Sequence, residues 1–175
     1  ADQFDALSSS QLQAFSTTQV AALTTDQLAS FSAGQLNTLT TDQFNALTSA
    51  QIDALTTGQV AALSTAQVSA FTTATVGKLS TQQVAALTTD EVQALATANV
   101  AALSTGQAGA LTTAQVQALT SGQVAALSTS ALNSLSGTQL TAFTSDQVGA
   151  LTTQQVNALG TAQLPTLTTS QVLGF

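Results

Sequence analysis

The sequence has no cysteine, histidine, tryptophan, tyrosine, methionine or arginine, and its one basic residue is Lys78. Without cysteine no disulfide framework is possible. With histidine missing as well, only hard oxygen ligands remain for any metal, which limits the choice to calcium or magnesium. A formal net charge of −7 with a single cation lacks the Lys and Arg by which proteins neutralise phosphates, so no nucleic-acid partner is expected. Charged residues make up 5% of the chain, against about a quarter in an ordinary soluble domain. Long apolar runs are missing too. Hydroxyl residues interrupt the chain every few positions, so nothing approaches the roughly 18 residues of a membrane span. Disorder by composition is equally excluded, because it needs low hydrophobicity and high charge, whereas 44% of these residues are hydrophobic.

What is present is a repeat. Written in blocks of eight ending on Leu or Phe, the chain is a short block, Ala1 to Leu7, followed by 21 full octads from Ser8–Phe15 to Thr168–Phe175. The 22 blocks contain no insertion or deletion, and the consensus is [S/T]-T-x-Q-[V/L]-x-A-[L/F]. Position 8 is Leu or Phe throughout; position 4 is Gln in 18 blocks, the exceptions being Thr75, Glu91, Asn99 and Ala131. Position 1 is Ser or Thr in 19 of the 21 octads, failing at Ala96 and Gly160. Residues 1–175 therefore read as a single continuous array. It starts at position 2, ends at position 8 and shows no polar capping block, so it is expected to be a stretch of a longer array.

The octad carries the signature of a helix start. In Thr24–Phe31 a Thr is followed three residues later by Gln27. That spacing lets the N-cap hydroxyl accept from the N3 amide while the Gln side chain reaches back to the N-cap amide. Leu23 before the cap and Leu28 after it are placed as a hydrophobic staple. Only about one and a half helical turns fit before the next Ser or Thr restarts the motif. The charges agree with this phase. Asp2, Asp26, Asp42, Asp90 and Asp146 fall at position 3 and Glu91 at position 4, near the positive end of the helix dipole; Lys78 falls at position 7, near the negative end. Asp5 and Asp53, at position 6, do not follow it. A single long helix is excluded because eight residues advance about 800°, leaving an 80° drift per octad that would carry the apolar stripe around the helix into water.

The expected fold is therefore all-α, a solenoid of very short capped helices with one helix per octad. A β-solenoid is the alternative, since Thr and Val favour strands. Against it, Leu at position 8 breaks the alternation, and glycine is scattered rather than held at one corner. One octad buries too little apolar surface to offset the ordering of eight residues, so stacking must stabilise it. Ala at position 7 would let neighbouring backbones approach. The Val, Leu and Phe residues should form a narrow core, with Ser, Thr, Gln and positions 3 and 6 facing outward or bridging between turns.

No catalytic, cofactor-binding or metal-ligating residue emerges, and no enzyme activity or small-molecule substrate is expected. Asp90 and Glu91 are the one adjacent acidic pair, and their helix-start position accounts for them. A serine nucleophile would have only Lys78 as a base, and the helix-end position of Lys78 accounts for that residue. The glutamine column is the most regular polar feature. It reads as the capping box repeated, with amides also able to bond between stacked repeats. Gly160 and Pro165 in one octad mark a local irregularity that ends that helix turn early.

The octad L-T-T-x-Q-V-x-A-L, with Thr56–Leu63 (T-T-G-Q-V-A-A-L) and Thr112–Leu119 (T-T-A-Q-V-Q-A-L), resembles octapeptide repeat stretches of very large secreted or surface proteins of proteobacteria. The resemblance implies an extracellular or cell-surface structural protein, an adhesin stalk or fibre component that associates end to end with itself. The alternatives are a surface-binding repeat protein for ice or carbohydrate, and a spacer in a giant secreted protein.

Overall fold

The computed structural model describes residues 4, 6–160 and 163–173; Asp2 and Asp5 lie outside them. Among these residues the chain is all-α. It has 20 helices of four to six residues and one 3-10 turn, Leu164–Thr166, with no strand. Every helix starts at position 2, from Ser9–Gln13 to Thr169–Val172, so the β-solenoid alternative is set aside.

Each helix forms where the hydroxyl at position 1 can close its first turn. The Thr112 side chain accepts from the Gln115 amide at 3.1 Å, and the Thr112 amide donates back to Gln115 Oε1 at 2.8 Å. This complete box recurs in all but three of the helices. The three that lack it carry Thr75, Asn99 or Ala131 in place of glutamine. Asp26, Asp42, Asp90, Glu91 and Asp146 lie in first turns, and Lys78 in a last turn.

The helices end without a left-handed residue. No described residue, glycine included, has positive φ. Instead the chain leaves the helix through two extended residues, as at Leu119 (φ −58°, ψ 134°) and Thr120 (φ −70°, ψ 157°). The second of these is already the next cap. No corner demands glycine, which explains why the glycines are scattered. The octad Gly160–Leu167 departs from the rule. Its cap has no side chain, and Pro165 sits in the 3-10 turn that replaces the α-helix. The octads return to phase afterwards, with a complete box at Thr168 and Gln171.

Helices pack on the third helix before and the third after them, as Thr89–Ala94 does on Thr65–Ser69 and Thr113–Ala118. Side chains at positions 5 and 8 form one continuous core running through the array, from Leu12 and Val20 to Val148 and Leu159. The turns meet closely at positions 6 and 7. Asn45 Nδ2 donates to the Ala70 carbonyl 25 residues later at 2.8 Å, and a Cβ on Gly109 would lie 3.3 Å from the Ser134 carbonyl oxygen. Small residues at position 7 permit this approach. The molecule is thus a solenoid whose turns close after between three and four octads.

Ala96 offers a direct test of the caps. Its backbone (φ −60°, ψ 148°) matches that of the Ser and Thr caps, but it makes no side-chain cap bond, and it is exposed. Ala96→Thr should raise stability by about 1 kcal/mol through the restored N-cap, seen as a higher melting midpoint by circular dichroism.

Candidate functional site: the buried glutamine ladder

The position 4 glutamines are the polar residues that the fold treats most unusually. Sequence reasoning allowed them to face outward or to bridge between turns. From Gln43 to Gln155 every one of them is buried, and they bridge. A primary amide has one acceptor end and one donor end, and burial is tolerable only when both are matched. The acceptor end of Gln115 takes the Thr112 amide of its own cap at 2.8 Å. Its donor end lies against the C-terminal carbonyls of a helix on the previous turn: Val84 at 2.9 Å, Ala85 at 3.3 Å and Leu87 at 2.6 Å. The Leu87 carbonyl is of the kind that a short helix leaves without an intrahelical partner, and the Val84 carbonyl takes the amide in addition to the Leu87 N–H.

The pattern repeats with a fixed offset. Gln51 donates to Val20 and Leu23, Gln83 to Ile52 and Leu55, Gln123 to Val92 and Leu95, and Gln155 to Val124 and Leu127, always 31 and 28 residues back. One side chain therefore caps the start of its own helix and the end of another helix one superhelical turn away. Glutamine is the residue that does both: its chain is long enough to reach, and its two ends are chemically opposite.

The substitutions show how strictly the site is set. At position 99 the shorter Asn99 keeps only the bond 28 residues back, Nδ2 to the Phe71 carbonyl at 2.8 Å. At position 75 the work is divided between several side chains. Thr75 Oγ1 donates to Asn45 Oδ1 at 2.9 Å, while Lys78 Nζ donates to the Leu47 carbonyl at 2.8 Å. Leu47 is 28 residues before Thr75, so the chain's one cation fills the acceptor that a glutamine would have filled. The dipole of its own helix, which accounted for Lys78 in the sequence, therefore describes only half of its role. Ala131 is buried and bridges to nothing.

Asp90 and Glu91, adjacent in sequence, do not share a site: Asp90 is exposed and Glu91 is buried. Glu91 Oε2 accepts from the Thr88 amide at 2.6 Å, completing the cap. Its other oxygen is the one buried side-chain polar atom among the described residues without a hydrogen-bond partner. Glu91 is the first-turn acid that the sequence implies, but a helix-start charge does not account for its unpaired oxygen. No group of three or more acidic residues is placed to hold a metal ion among the described residues. Among the described residues no helix is long and apolar enough to cross a membrane.

An array of capped octads joined turn to turn by a buried amide ladder is a helical repeat solenoid. A family model for the ALTTAQ repeat matches residues 1–33, 28–57, 60–97, 89–121 and 119–153. The chain belongs to the ALTTAQ repeat family. No curated protein sequence matches it.

Proposed function

We propose that this chain is a structural element, a stiff rod that extends or assembles end to end outside a bacterial cell. The observation that carries the reading is the polarity of the ladder. Wherever position 4 is glutamine from Gln43 to Gln155, its amide donates to carbonyls of the turn before it, so successive turns are joined with one polarity. A contact that joins each turn to the next in one direction can also join one copy to another, and a heterologous contact that need not close adds copies along one axis. Seven net charges spread along the array are screened at physiological salt and oppose this little. The extracellular or cell-surface setting is supported by the resemblance to secreted octapeptide stretches. The ice- or carbohydrate-binding alternative has less support, because it needs free, flat hydroxyl rows and the position 1 hydroxyls accept cap amides.

Light scattering and electron microscopy of the isolated chain test the proposal. The expected result is concentration-dependent rods or filaments with the solenoid axis along the fibre. A chain that stays monomeric at high concentration, with a well-defined melting transition, would overturn end-to-end assembly and leave the spacer role in front.

A further inference from the structure

Glu91 stands where the ladder calls for glutamine. The offsets of 31 and 28 residues followed by Gln83 and Gln123 on either side point its free end at the carbonyls of Val60 and Leu63. A glutamine there would donate to both. An ionised carboxylate has nothing to donate and sets a buried negative oxygen toward carbonyl oxygens. A protonated carboxyl has the same layout as the amide: one oxygen accepts from the Thr88 amide, as Oε2 does at 2.6 Å, and the other carries a hydrogen.

We propose that Glu91 is a proton-controlled latch between successive turns: protonated, it donates from Oε1 to the Leu63 or Val60 carbonyl and closes the ladder; ionised, it leaves that rung open and loosens the array near its middle. Three observations support it. Glu91 is 2% exposed, its Oε1 has no partner, and the equivalent glutamines bond in both directions. Burial pushes the Glu91 carboxyl up from the ordinary glutamate range, against the lowering effect of its hydrogen bonds with Thr88, and Asp90 adds to the rise. No other charge faces it. The helices packed against its own, Thr65–Ser69 and Thr113–Ala118, carry no titratable residue, nor does Thr57–Val60, which supplies the Val60 carbonyl. Lys78 is engaged by Leu47.

The sign follows from linkage. The folded-state value is raised above the unfolded one, so the stabilisation is fully present below the ordinary glutamate range and is lost as pH rises through the raised value. Glu91→Gln, which restores the family residue, is the test, with melting of both proteins followed between about pH 4 and about pH 8. The two proteins differ only at position 91, so the difference in melting is read at that site. The variant should melt higher at the alkaline end, by about 2–4 °C if the rung contributes as a typical hydrogen bond does, and the gap should close toward the acid end. Carbon-13 NMR of the Glu91 carboxyl should show a midpoint above that of an exposed glutamate. A gap that does not change with pH, or an ordinary carboxyl midpoint, would overturn the latch.

Discussion

Gln115→Leu should destabilise the array by about 2–4 kcal/mol, more than loss of the cap hydroxyl beside it. Leucine is close to glutamine in size, so the core is neither emptied nor overfilled, and the loss reports hydrogen bonding. The substitution removes the acceptor for the Thr112 amide and the donor to Val84, Ala85 and Leu87. The Thr112 amide lies near solvent and can be rehydrated. The Val84 carbonyl keeps the Leu87 amide, but the Leu87 carbonyl, inside the wall between turns, loses its donor, and a buried polar group left without its partner costs about 1–3 kcal/mol. Thr112→Val removes only the N-cap, worth about 0.5–2 kcal/mol. The comparison separates the two jobs of the glutamine, because only Gln115→Leu cuts the bond across turns. Since the chain has no tryptophan or tyrosine, thermal melts are read by far-ultraviolet circular dichroism or calorimetry. Equal losses for the two variants would show that the glutamine acts as a local cap alone.

Phe44→Ala should cost about 3–5 kcal/mol, the range for truncating a buried aromatic ring. Phe44 occupies position 5, is 1% exposed and is among the largest fully buried side chains. Its ring stacks on Phe71 with centroids 5.2 Å apart and planes 13° apart. The two residues lie on successive turns, so the cavity opens at a joint between turns and not within one octad. In a solenoid each unit is stabilised mainly by its neighbours, and the loss should appear as early melting of the helices around Thr41–Asn45 and Thr65–Ser69. Hydrogen exchange would localise it. A double-mutant cycle with Phe71→Ala should give a coupling of about 0.5–1.5 kcal/mol from the ring pair. A coupling near zero would mean that the stack adds nothing beyond burial.

What the sequence left open lies at position 4 and its partners one turn away. Capping needs only residues three apart, so the box at Thr24 and Gln27 could be read directly from the one-dimensional pattern, and so could the alternation of buried positions 5 and 8. The irregular octad at Gly160 and Pro165 was equally visible, because a missing hydroxyl and a missing N–H are local facts. The burial of glutamine was not visible. A glutamine in a capping box uses one end of its amide, and nothing within eight residues says where the other end goes. Glu91 and Lys78 do stand where the helix dipole favours them, but the bond of Lys78 to Leu47, 31 residues back, and the unpaired Glu91 oxygen were out of sight for the same reason.

The octad by itself thus determined the helix starts, their phase, their length and the identity of the core stripe, because each depends on contacts inside one repeat or between neighbours in sequence. Only the tertiary structure decided how many octads make a turn, and therefore which carbonyls each glutamine meets. That number follows from how position 6 seats against position 7 and position 5 against position 8 on the next turn, a packing problem in which the same eight letters could close at more than one radius. Once the turn closes between three and four octads, the donor end of the buried glutamine amide falls on the helix ends behind it, and a residue that looked like a cap becomes the bond that joins successive turns.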